Sequence, residues 1–207
     1  MTFSTAQMKR ALAQICEADS KFIPVIEASP LCPIGREQTD RSHFESLVES
    51  VISQQLAIRA ADTIHARLVA LAGGKITPAR IAKLEQDELR SAGLSGAKAK
   101  TIQGLSRAAL TRQVDINKLH LLDDELVSSQ LNSLWGIGPW TVDMFMMFQL
   151  GRLDTWPTGD LGVRRGWEKI HRLKEQIEPK KLHSRGEKFR PHRSVVAWYC
   201  WRAVENN

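Results

Sequence analysis

Two glycines separated by one residue and followed at once by proline interrupt a helix-forming chain at Leu134-Trp-Gly-Ile-Gly-Pro-Trp-Thr141. No other stretch restricts the fold as much. Pro139 has no amide hydrogen, so it fits the first position of a helix, where that hydrogen has no intrahelical acceptor. Gly136 and Gly138 permit the sharp reversal before it and the close approach of another backbone. The segment predicts helix, tight turn, helix. The amides of Ile137, Gly138 and Trp140 then gather at a helix N-terminus, an arrangement that attracts a phosphate oxygen. A turn rich in amides and poor in side chains suits a nucleic-acid backbone, which carries no base identity. A plain helix–turn–helix connection explains the fragment equally well.

The remaining periodicity is helical. Met8, Leu12 and Ile15 recur at helical spacing, and Pro24, Pro30, Pro33 and Gly35 then break the chain into turns. Ser42-His-Phe-Glu45 reads as a capping box ahead of Phe44, Leu47, Val48, Val51 and Ile52. A second stripe, Ile58, Ala61, Ile64, Leu68 and Leu71, ends at Gly73-Gly74. Thr77-Pro78 opens a helix with Ile81, Leu84 and Leu89 on its inner side, Ser95 precedes one carrying Ile102, Leu105 and Ala109, and Asp123-Asp124 caps one over 125–134. No strand-like alternation occurs, so the chain is expected to be all-α.

The hydrophobic share of 43% suits a packed core, and no apolar run reaches membrane-spanning length. The first ten residues do not read as a secretion signal, and a cytoplasmic, nucleoid-associated protein is expected. Cys16, Cys32 and Cys200 are odd in number and widely spaced, which argues against a zinc site or an iron–sulfur cluster. Net charge is +6, but from Arg164 to Arg202 twelve Lys and Arg stand against four Asp and Glu. That end is expected to face a polyanion, or else to be a solvated basic surface. The stretch over 178–192 reads as loose and basic.

Beyond the turn lie Met144-Phe145-x-Met147-Phe148 and Asp154-Thr-Trp-Pro-Thr-Gly-Asp-Leu-Gly-Val-Arg-Arg-Gly166. With Leu134-x-Gly-Ile-Gly-Pro-Trp-Thr, these resemble the helix-hairpin-helix DNA glycosylases that carry a Gly/Pro-rich loop and an Asp, most of all their alkylpurine (3-methyladenine) branch. The similarity runs from about Phe44 to the C-terminus. It implies a two-lobed helical fold with the active cleft between lobes: residues 44–155 as a central lobe, 1–43 with 156–207 as the second. It also implies a monomer acting on double-stranded DNA that contains damaged bases, with no membrane partner and no cofactor. A monovalent cation at the hairpin is left open.

Breaking an N-glycosidic bond develops positive charge on the sugar, which an anion held close stabilises. Asp160 follows Pro157 and Gly159 and precedes a helix start, whose N-terminus favours a carboxylate. By itself that pattern more often marks a simple capping aspartate; the family's catalytic Asp falls on Asp160. Asp143 and Asp154 are the rivals. Strand-cleaving relatives carry a lysine where this chain has Trp140, so a monofunctional hydrolase is expected. An alkylated purine is electron-poor and is attracted to aromatic faces. Trp140 and Trp156 are the candidate platforms, with Met144 and Phe145 lining the pocket, and each has core packing as its alternative. Trp135 stands where many relatives have a smaller residue or proline. Trp198, Tyr199 and Trp201 read as mainly core.

In the family, the segment at Ser53-Gln54-Gln55-Leu56 meets the gap left by the extracted nucleotide. Leu56 is then the wedge and Gln55 faces the orphaned base; spacing alone favours Leu56 as core. Gly136, Ile137 and Gly138 are the backbone contacts. Lys98 and Lys100, in a Gly-Leu-Ser-x-x-Lys pattern, meet phosphates or are simply solvated, and Arg164 serves a phosphate or a structural carboxylate. The expected reaction is release of alkylated purines from duplex DNA, 3-methyladenine first, with 7-methylguanine a further candidate. The alternatives are hypoxanthine, ethenoadenine or an oxidised base, or a non-catalytic DNA-binding module.

Overall fold

A computed structural model describes residues 3–37 and 39–205. Met1 and Thr2, which opened the N-terminal reading, and the side chain of Ile58 lie outside the described residues. Among the described residues there is no strand, and no helix is long and apolar enough to cross a membrane. The chain divides into two units by internal contacts, residues 40–145 and residues 1–39 with 146–207.

In the discontinuous unit, α1 (Thr5–Ala18) starts at a reciprocal capping box between Ser4 and Gln7 and buries Met8, Ala11, Leu12 and Ile15. The short α2 (Ile23–Glu27) follows.

The continuous unit holds seven α-helices and a 3-10 helix, Ile116–Leu121, among its described residues. The α-helices are α3 (His43–Ser53), α4 (Ile58–Leu71), α5 (Pro78–Ile81), α6 (Gln86–Ser91), α7 (Gly96–Leu110), α8 (Asp124–Asn132) and α9 (Pro139–Met144). The expected stripe of α3 is its buried face: Phe44, Leu47, Val48, Val51 and Ile52. Ser42, Thr77, Ser95 and Asp123 each accept a backbone amide as N-caps, an interaction worth about 0.5–2 kcal/mol apiece. α8 ends at Asn132, two residues short of the expected boundary. The chain tightens there into turn bonds from Leu134 N to Leu131 O and from Ile137 N to Leu134 O.

Past α9 the backbone continues through one π-helical stretch, Phe145–Gln149, and re-enters the discontinuous unit. There lie α10 (Leu161–His171), α11 (Pro179–Gly186) and α12 (Arg193–Glu205). Residues 146–155 belong with these helices, which corrects the division expected at 155. The reason is α12: Ser194 Oγ donates to Arg152 O at 2.7 Å and accepts the Thr155 amide at 2.9 Å, while its own amide bonds Leu153 O.

The expected loose stretch over 178–192 is ordered into α11 and a 3-10 turn, Glu187–Phe189. Leu182 and Phe189 are buried, and Glu187, Lys188, Arg190 and Arg193 are in ion pairs. Arg193 grips Asp154 through Nε at 2.8 Å and Nη2 at 3.0 Å, Arg190 reaches the same carboxylate at 2.8 Å, and both arginines bond Glu187. Part of the basic excess at this end is therefore spent inside the protein. At the far end of α10, His171 donates Nε2–H to Asp19 and Nδ1–H to Trp167 O, each at 2.9 Å.

Candidate functional site

The glycines of α10 decide where its partner lies. A Cβ on Gly166 would fall 1.9 Å from the Cys200 carbonyl oxygen, and one on Gly162 would fall 2.8 Å from Trp201 Cδ1. Only glycine lets the α12 backbone come this near. Two residues before Gly162, Asp160 caps α10, its Oδ1 accepting the Val163 amide at 2.8 Å. The close approach of α12 brings the Trp201 indole N–H onto the same oxygen, also at 2.8 Å. Two donors on one oxygen fix the plane of the half-buried carboxylate. Phe148, exposed, stacks on Trp201 with ring centroids 5.7 Å apart. Trp201 thus departs from the core role expected of it, whereas Val195, Val196, Trp198 and Tyr199 are buried. The Gly162-x-x-x-Gly166 spacing was the signal in the sequence.

Of the rival carboxylates, Asp154 is held by Arg190 and Arg193, and Asp143 lies within α9. Arg164, a candidate phosphate contact, turns its Nη1 to Ile177 O at 3.5 Å within its own unit.

Trp156 is also corrected. It is 8% exposed, donates its indole N–H to Leu182 O at 3.1 Å, and meets Trp167 edge-on, so its ring belongs to the core. Gly186 packs against it so closely that a Cβ would overlap Nε1. Phe145 is fully buried and edge-on to His43 at 5.6 Å, so its ring belongs to the core as well. Trp140 and Met144 lie four residues apart on α9, hence on one face, and both are half-buried.

The hairpin and the wedge segment are joined within the continuous unit. Gly136 adopts φ +80° and lies on Thr101 of α7, whose hydroxyl would be 2.0 Å from an added Cβ. Ile137 has a buried side chain, and its amide donates to Leu134 O, so it is not offered to a phosphate; that part of the expectation is corrected. Gly138 is the N-cap of α9 and Pro139 its first residue, as expected. The segment 54–57 does separate α3 from α4. Gln55 takes a left-handed φ of +55°, and Leu56 stands 40% exposed, not in the core. Gln54, given no task by the sequence, donates to Thr141 Oγ1 at 2.9 Å and to Gly136 O at 3.3 Å. Lys98 reaches Ile52 O and Gln54 O, each at 2.7 Å. Its ammonium caps the C-terminus of α3, where partial negative charge collects, and it is a strut of the wedge segment in place of the expected phosphate contact. Burial pushes its pKa down.

This combination of a glycine hairpin on a helical platform and a carboxylate capping the helix after a Gly/Pro loop defines a class, and the comparisons agree. Residues 48–191 match the family model of the HhH-GPD superfamily base excision DNA repair proteins. The chain belongs to that superfamily. It is 29% identical over 171 residues to DNA-3-methyladenine glycosylase 1 of Schizosaccharomyces pombe, covering 81% of this chain and 75% of the relative. The crystal structure of DNA-3-methyladenine glycosidase from Bacillus halodurans superposes with a TM-score of 0.79 at 32% identity, covering 94% of this chain and 88% of that one. The 3-methyladenine DNA glycosylase of S. pombe in complex with abasic DNA gives 0.85 at 26% identity, covering 95% and 97%.

Proposed function

We propose that the protein is a monofunctional DNA glycosylase that hydrolyses the N-glycosidic bond of alkylated purines, 3-methyladenine first, and so starts base excision repair. The observation that carries this reading is Asp160, held by two N–H donors at the cap of α10 in a chain of this superfamily. Its charge stabilises the sugar as the bond from C1′ to the base nitrogen breaks and the electron pair leaves with the base. A water oxygen then bonds C1′, and the water's proton passes to the Asp160 carboxylate. A cationic base such as N-alkylated adenine leaves neutral and needs little acid assistance. Trp140, at the place where strand-cleaving relatives carry lysine, offers no amine for a covalent intermediate, so an abasic site is the product. The Trp140–Met144 face of α9 is the proposed lining for the extracted base. Leu56 is the proposed wedge, with Gln55 toward the orphaned base and the Gly136–Gly138 turn on the backbone. Extraction costs a few kcal/mol and is cheapest at a damaged pair.

The test is incubation with methylated duplex DNA followed by chromatography of the released bases. Free 3-methyladenine is expected from the native chain. D160N should lose release while still binding the duplex. Undiminished release by D160N would remove Asp160 from the reaction.

A further inference from the structure

Trp135 is 56% exposed at the mouth of the hairpin, one residue before Gly136. The ammonium of Lys100 sits over its ring, 4.4 Å from the centroid. Lys100 and Thr101 are neighbours on α7: one covers Trp135, and the other supports Gly136. Lys98, two residues earlier, struts the segment that presents Leu56. A single helix thus holds the wedge segment, the hairpin turn and the Trp135–Lys100 pair, and Gln54 ties the first two together. The exposed groups carried by this platform are an aliphatic side chain, a stretch of backbone, a flat indole and a cation.

We infer that Trp135 and Lys100 form a second contact with the DNA backbone beside the hairpin, the ammonium neutralising one phosphate and the indole covering the adjoining deoxyribose. The occupant follows from charge and continuity. A cation on an aromatic ring is poorly matched to an apolar protein partner, while a sugar–phosphate chain offers an anion and an apolar ring face in alternation. An exposed cation–π contact holds only about 0.5–1 kcal/mol, so the ammonium is positioned without being withheld from a phosphate. The inference adds to the proposed function and needs DNA binding but not base release.

The test is binding of an unmodified duplex at several salt concentrations, with the full chain. K100A should weaken affinity severalfold for every sequence and lower the slope of log K against log salt by about 0.9, the value for one phosphate. W135A should weaken affinity comparably; its own effect on the slope should be smaller, because indole carries no charge. Both positions are exposed, and unchanged melting temperatures would show that the fold is kept. W135F serves as the second variant: the change in tryptophan fluorescence on adding duplex should be smaller than in the native chain. Native affinity and slope in both alanine variants would overturn the inference. Failure of the native chain to release any methylated base would instead overturn the glycosylase reading and leave these binding data to stand alone.

Discussion

The indole N–H of Trp201 and the Oδ1 of Asp160 lie 2.8 Å apart, joined across α12 and α10. The Val163 amide bonds the same oxygen at the same distance. One donor comes from the helix the aspartate caps and the other from a helix more than thirty residues later, so the carboxylate's orientation depends on tertiary packing as well as on its cap. In the proposed reaction this contact holds the anion toward the sugar. A donor to a charged acceptor is worth about 1.5–3 kcal/mol, so W201F should slow single-turnover base release roughly ten- to a hundredfold while duplex affinity changes far less. G162A should act in the same direction, since its methyl group would displace the indole. An upfield shift of the Trp201 indole N–H resonance in D160A, which removes the acceptor, would confirm the contact by NMR.

The strut at Lys98 gives a second expectation. K98M removes the cation from Ile52 O and Gln54 O and should destabilise the protein by about 1–3 kcal/mol. Release should fall further than duplex binding, because the disordered element is the one carrying Leu56. K98R should recover little, since a planar guanidinium does not reproduce two converging bonds from one nitrogen. Equal losses of binding and release would contradict the assignment of Lys98 as a strut.

Gly136 is the least replaceable residue of the turn. G136A places a methyl group at φ +80° and against Thr101. A loss of about 2–4 kcal/mol in denaturant unfolding is expected, from strain and overpacking together. Adding T101A should recover the packing part and leave the backbone part, which makes the double variant less damaged than G136A alone.

Asp19 contributes to the acid limb of stability. Burial raises its pKa, but hydrogen bonds from His171 and Lys188 outweigh this and hold it at about 2. A carboxylate with a depressed pKa stabilises the fold at any pH above its unfolded value near 4, and that contribution is lost as pH falls toward 2. The native chain should lose melting temperature steeply between pH 4 and 2. D19N should start lower at neutral pH and show a shallower decline over the same interval.

Much was legible before any coordinates. Gly136, Gly138 and Pro139 dictate a turn into a helix because backbone sterics are local, and the caps at Ser42, Thr77, Ser95 and Asp123 follow from side-chain oxygens three residues ahead of an amide. Asp160 was legible as a helix cap from the loop before it and the helix after it, and the resemblance to the family set it apart from Asp143 and Asp154. The aromatic and cationic residues were another matter. Trp156 and Phe145 read as pocket walls and are core; Trp201 read as core and touches Asp160; Lys98 and Arg164 read as phosphate contacts and bond carbonyls.

The sequence alone determined the all-helical class, the hairpin and the identity of the capping carboxylate, since these rest on interactions spanning four residues or fewer. Only the tertiary structure decided which tryptophan meets that carboxylate and which lysine faces solvent. A large amphipathic side chain is equally at home in a core or at a site, and its choice is set by whichever distant helix the glycines at 162 and 166 allow to approach.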